Sequence, residues 1–393
     1  MSFIEYELRE LGEIITGKTP KKSDEQFYNS NDVLFIKPDD LILNNIKYIS
    51  KANSYVSFNG AATGRIVKKG TILVTCIGVI GKVGIVDCDK AIFNQQINAI
   101  IPNENIVIGK YLAYVLQSMQ RKLQDRANAP IVPILNKSNF SKINVSIPNL
   151  EYQKRVVQIL DESQMIIEKR QSQIRALNEL SQSIFAGIFK NEKCRIEKLS
   201  DNVVGITSGK SLAGESVAEY KVINTSAVSY KEFDSSKSKF LPLGYVPPES
   251  HLVKKGDILI SRMNTSELVG AVAYVFDEPS KLAIPDRIWK LEVDENKLAP
   301  IYTWYYLNQP YFRKLVTRIS SGTSGSMKNI SQTKYLNLEI KVPSLEVQKE
   351  FSRKLIAIRA QKIMLENALT EMQDLYNSLL QKAFRGELFQ EAK

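Results

Sequence analysis

One short pattern occurs twice in this chain. Ile147-Pro148-Asn149-Leu150-Glu151-Tyr152-Gln153-Lys154 and Val342-Pro343-Ser344-Leu345-Glu346-Val347-Gln348-Lys349 share Pro-x-Leu-Glu-x-Gln-Lys. At the same spacing Ser183-Ile184-Phe185 and Phe189 meet Ser378-Leu379-Leu380 and Phe384. The segment from Pro148 to Phe189 is therefore repeated without a gap from Pro343 to Phe384. Each copy opens with a helix start: Asn149 or Ser344 as N-cap, then Glu151 or Glu346 in the first turn, where the helix dipole favours negative charge.

Both copies keep one heptad register. In the second, Phe351, Ile358, Leu365, Met372 and Leu379 fall seven apart, with Leu355, Leu369 and Ala383 in the other seam position beside Lys362 and Tyr376. In the first, Val156, Leu177 and Ile184 form one seam and Leu160, Ile167, Ile174 and Ile188 the other, interrupted by Ser163, Arg170 and Ser181. A lone helix would leave this stripe in water, so the two helices are expected to pack on each other. The polar interruptions are expected to face a partner or a cross-helix pair.

The globular segments also repeat, less regularly. Short β-type runs such as Val33–Ile36, Thr71–Thr75, Val83–Val86 and Ala99–Ile101 alternate with turn residues, and one helix is expected from Gly109 to Asp125. Val67-Lys68-Lys69-Gly70-Thr71-Ile72-Leu73 matches Val253-Lys254-Lys255-Gly256-Asp257-Ile258-Leu259; Gly17-Lys18 matches Gly209-Lys210, and Gly81 matches Gly270. The organisation predicted is residues 1–147, a helix over 148–192, a second globular domain over 193–342 and a second helix over 343–393. Helices held in register beside diverged domains suggest a shared frame carrying two versions of one reader.

A formal charge of +11 points to nucleic acid or another anionic surface. Three scattered cysteines and the single His251 offer no metal-ligand spacing and suit a reducing compartment. No apolar run approaches a membrane span, so the chain is expected to be soluble and cytoplasmic, without membrane partners. Before each long helix lies a polar loop. One runs from Arg318 through Ser321, Thr323 and Ser324 to Lys328 and Asn329; the other runs from Arg126 and Asn128 to Asn136 and Lys137. Such side chains suit phosphate and base-edge contacts, although a solvated loop would look the same. Asn94, Gln95 and Gln96 align with Asp286, Arg287 and Lys290, all types that can read bases. Lys18, Lys21, Lys22 and Lys210 are candidate phosphate contacts, and Arg262 and Asn264 complete the second domain's set.

Two motifs suggest an enzyme instead. Gly12-Glu13-Ile14-Ile15-Thr16-Gly17-Lys18-Thr19 fits the phosphate-loop pattern, but Pro20 follows at once and no helix opens after it. Pro285-Asp286 followed by Glu295-Asn296-Lys297 resembles a nuclease carboxylate–lysine pattern, and the first domain lacks the acid. Neither supports catalysis, and with one histidine no ordinary nucleophile–base set exists.

The order reader, helix, reader, helix, with Pro-x-Leu-Glu-x-Gln-Lys opening each helix and Ser378-Leu379-Leu380-Gln381-Lys382-Ala383-Phe384-Arg385-Gly386-Glu387-Leu388 closing the second, resembles the specificity subunits of type I restriction-modification systems. The first copy departs at Ala186 and Gly187 and lacks the closing Gly-Glu-Leu. The resemblance implies an α+β chain of two mixed α/β target recognition domains, each followed by a long helix, with the helices forming an antiparallel coiled coil. It implies a double-stranded DNA site in two unlike halves. Two modification subunits with S-adenosylmethionine would dock on the helices, and two motor-nuclease subunits with ATP and magnesium would join them. This chain would carry no cofactor and no metal. Gln153, Lys154, Gln348, Lys349, Leu379, Leu380 and Phe384 are the candidate docking residues.

Overall fold

The computed structural model describes residues 2–127, 133–229, 232–322 and 327–389. It divides into two compact units: Met1–Ser172 with Leu365–Lys393, and Gln173–Met364. The two long helices, Leu150–Asn191 and Leu345–Arg385, therefore each contribute to both units. Asn149 caps the first as expected, its Oδ1 accepting the Tyr152 N–H at 2.9 Å. Asn149→Ala is expected to lower the stability of the first unit by about 1 kcal/mol, read as the shift in urea unfolding of the full chain.

In the first unit a five-stranded sheet runs Gly12–Thr16, Ile97–Pro102, Ile72–Thr75, Val83–Val86, Lys47–Ile49. A four-stranded sheet runs Tyr55–Val56, Val33–Ile36, Ala91–Phe93, Ile66–Val67. Both are mixed: Lys47–Ile49 lies parallel to Val83–Val86, and Val33–Ile36 to Ala91–Phe93. The expected helix over 109–125 is two, Gly109–Ser118 and Gln120–Asp125, because Met119 leaves helical torsions at ψ +10°. The main core joins the sheet to both long helices, with Tyr111, Leu112 and Leu116 beside Tyr152, Val156, Leu160, Tyr376 and Ala383. Tyr152 Oη donates to the Ala383 carbonyl at 3.0 Å, and its ring meets Phe3 and Phe389 edge-on.

The second unit repeats the plan. Val203–Ser208, Ile288–Val293, Ile258–Ser261 and Val272–Tyr274 form its main sheet. Pro300–Leu307 and Pro310–Ile319 replace the broken helix, with Pro310 starting the second piece. Phe185 packs against Tyr305 and Phe351 at ring separations of 5.0 and 5.4 Å, tying both long helices to the helix Pro300–Leu307.

In each unit the two helix segments run antiparallel along the expected seam. The seam hydroxyls need no partner subunit: Ser163 Oγ donates to the Ile159 carbonyl and Ser181 Oγ to the Leu177 carbonyl, each one turn back. Among the described residues no helix is long and apolar enough to cross a membrane.

Candidate nucleic-acid interface

The first unit's candidate surface starts where strand Ile97–Pro102 begins. Gly17 brings the turn after Gly12–Thr16 against this edge: its N–H donates to Ile97 O at 3.1 Å, and the Lys18 N–H donates to Phe93 O at 2.9 Å. A Cβ on Gly17 would lie 2.1 Å from Asn94 O, so the position requires glycine. Lys18 is thereby exposed, and Thr19 Oγ1 donates to Gln95 Oε1 at 2.5 Å. On the other side the Cys76 N–H donates to Gln96 O, and the Leu135 N–H to Cys76 O, both at 2.8 Å. The segment after Cys76 is thus sandwiched, with a bridge between Ile77 and Ile134 and exposed Val79 beside it. Burial pushes the Cys76 thiol up to about 11, so it stays neutral.

The second unit builds a similar frame with other side chains, matching bond for bond around Arg262 but with the glycine turn bonded to a different carbonyl. Gly209 N–H donates to Pro285 O at 3.2 Å, and a Cβ there would lie 1.7 Å from Ile284 O. Ser211 Oγ donates to Asp286 Oδ1. Arg262 N–H donates to Arg287 O, and Ile330 N–H to Arg262 O, both at 3.0 Å. Met263–Asn264 then pairs with Lys328–Asn329. By these bonds Gln95 is the equivalent of Asp286, Gln96 of Arg287, Cys76 of Arg262, Gly78 of Asn264 and Ile134 of Asn329. Gly81 and Gly270 close the corresponding turns in left-handed torsions, φ +86° and +72°.

This frame brings together Lys18 with Asn94, Gln95 and Gln96, and Lys210 with Arg262, Asn264, Asp286, Arg287, Ser321, Lys328 and Asn329. Thr19, Ser211, Ile77, Val79, Ile134 and Met263 belong to it although the sequence did not single them out. Only the hydroxyl following Gly-Lys in both copies could have marked any of them. Lys21, Lys22, Arg126, Lys137 and Arg318 are exposed. Asn128, Thr323 and Ser324 lie outside the described residues.

Several expected contacts have other roles. Lys290 is largely buried, donates to Leu252 O at 2.8 Å and pairs with Asp257 at 3.3 Å, so it serves the interior of the domain. Asn136 caps the helix Lys137–Ser141, accepting the Asn139 N–H at 2.8 Å. Asn94 is buried and bonded to Gln96. Gln153 and Gln348 are fully buried, which removes them as docking residues. Gln153 accepts from Ile108 N–H and donates to Ile106 O and Pro148 O. Gln348 accepts from Ala299 N–H and donates to Lys297 O and Pro343 O. Leu379, Leu380 and Phe384 pack into the first unit's core, Phe384 edge-on to Tyr111, because the helix turns that face inward there. Lys154 and Lys349 remain exposed.

The enzyme-like motifs dissolve in the fold. Gly12–Thr16 is a strand paired with Ile97–Pro102, so its amides serve a sheet and do not cradle phosphate. Asp286 and Glu295 flank the whole strand Ile288–Val293, roughly 20 Å of extended chain.

The family model for the type I restriction modification DNA specificity domain matches residues 3–176 and 205–372. The chain belongs to this family. The HindI specificity subunit of Haemophilus influenzae is 37% identical over 180 residues, 43% of this chain; that match spans only 38% of the relative's length. The MjaVIII specificity subunit of Methanocaldococcus jannaschii is 24% identical over 316 residues, 73% of each chain. Among solved structures, the type I restriction-modification S subunit of M. genitalium superposes with a TM-score of 0.62 at 15% identity, covering 98% of this chain and 96% of that one. A type I restriction-modification assembly structure gives 0.58, also at 15% identity, with 98% of each chain covered. The two solved structures share the fold described above.

Proposed function

We propose that this chain is the non-catalytic DNA-reading subunit of a type I restriction-modification complex, each unit reading one half of a bipartite, asymmetric site. The observation carrying this is the duplicated frame: matching backbone bonds around Cys76 and Arg262, and a Gly-Lys turn packed on the neighbouring loop whose hydroxyl bonds Gln95 in one unit and Asp286 in the other, beside Gln96 and Arg287. A constant scaffold with variable polar side chains is what two different half-sites need. The net charge of +11 supplies sequence-independent attraction to phosphate. The long helices set the spacing of the half-sites and dock two modification subunits, which carry S-adenosylmethionine. Two motor-nuclease subunits using ATP and magnesium complete the assembly. Lys154 and Lys349, and Leu180 and Leu375, are equivalent positions of the helical repeat and are all exposed, as two copies of one partner would require.

Duplex selection from a random library by the reconstituted complex tests the reading. A bipartite motif is expected, and replacing residues 1–147 with a relative's first domain should change one half only. Changes in both halves would show that the units do not read independently.

A further inference from the structure

Gln95 and Asp286 occupy one frame position, and each is exposed with one side-chain oxygen accepting a hydroxyl from the Gly-Lys turn, Thr19 in the first unit and Ser211 in the second. That hydrogen bond fixes the side chain's direction but leaves most of its capacity open. Gln95 retains a lone pair on Oε1 and both Nε2 hydrogens, a donor–acceptor pair matching the N6 amino group and N7 of adenine. Asp286 has acceptors only, matching the cytosine N4 amino group; exposed Arg287 beside it has donors only, matching guanine O6 and N7. The surroundings agree. Val79 and Ile134, 53% and 41% exposed, give the first surface aliphatic groups suited to a thymine methyl, whereas the second carries Asn329 in the place of Ile134.

We propose that Gln95 selects an adenine–thymine pair in one half-site and that Asp286 with Arg287 selects a cytosine–guanine pair in the other. Thr19 and Ser211 are positioning residues. This rests on the reading of the two units as half-site readers.

The test is random-duplex selection by the full chain assembled with its modification subunits. The unmodified complex is expected to yield a bipartite motif with an A·T pair fixed in one half and a C·G pair in the other. Asp286→Gln should move the C·G position towards adenine, by roughly tenfold or more, and leave the other half unchanged. Gln95→Ala should relax only the A·T position. Thr19→Val should loosen that position less, with binding to a non-specific duplex unaltered, which a merely structural role would alter. Should Asp286→Gln fail to fold, the isosteric Asp286→Asn should relax the cytosine preference, and an unchanged preference there overturns the proposal. A motif without two halves overturns the half-site reading itself. A bipartite motif that Gln95→Ala and the Asp286 variants leave untouched overturns this assignment alone.

Discussion

Gln348→Leu is expected to lower the stability of the second unit by about 3–6 kcal/mol, a large part of what holds a domain together. The side chain is fully buried and makes three hydrogen bonds. It accepts from the Ala299 N–H at 2.9 Å and donates to the carbonyls of Lys297 and Pro343, each at 3.0 Å. Leucine fills similar space but leaves three backbone groups unpaired, at roughly 1–3 kcal/mol each when buried. The measurement is convenient, because both tryptophans, Trp289 and Trp304, belong to the second unit and are buried there. Tryptophan fluorescence during urea unfolding of the full chain therefore reports on that unit. Gln153→Leu breaks the equivalent bonds in the first unit, so it should leave the tryptophan transition in place and instead speed hydrogen exchange around residues 106–115. If Gln348→Leu unfolded normally and only lost partner subunits, the residue would be a docking contact after all.

The same glutamine shows what the sequence could and could not convey. The helices were legible because their signals are local: an N-cap, a first-turn glutamate and a heptad stripe depend only on spacing along one segment. The repeat of Gln153 at Gln348 was equally visible, but its meaning was not. A repeated polar residue on a helix reads as a surface contact until the loop it holds is seen, and that loop lies 45 residues away in the first unit and 49 in the second. The interface was partly legible for the same reason. Lys18 and Lys210, and Asn94–Gln96 against Asp286–Arg287, sit near recognisable anchors. Ile77, Val79 and Ile134 join them only through cross-strand bonds between segments with no shared sequence pattern. Polar character also misled at Lys290 and Asn136, where the charge and the amide are used within the domain.

Lys290→Met supplies the second large effect, and it separates an interior ion pair from a DNA contact. Lys290 and Asp257 are 16% and 18% exposed at their side chains, with Nζ and Oδ2 3.3 Å apart. Burial holds the Asp257 carboxyl above its ordinary value even with the Lys254 amide and the Lys290 ammonium beside it. Methionine keeps the packing but removes the ion-pair partner of a largely buried carboxylate; the expected loss is about 3–5 kcal/mol at neutral pH. The sign of its pH dependence follows from the raised folded value. Ionisation of Asp257 already works against folding, so its contribution is most favourable below the unfolded value and declines as pH rises through the folded one. Losing Lys290 raises the folded value further, so the variant's deficit should be greatest at neutral pH and shrink on acidification as the carboxyl becomes neutral. Asp257→Asn added to Lys290→Met should recover part of the loss, because it removes the unpaired charge. Tryptophan fluorescence across a pH series reads both effects. The salt dependence of DNA binding by the assembled complex should be unchanged, whereas a lysine contacting phosphate would reduce its log–log slope by about one. A shallower slope with unaltered stability would return Lys290 to the DNA surface.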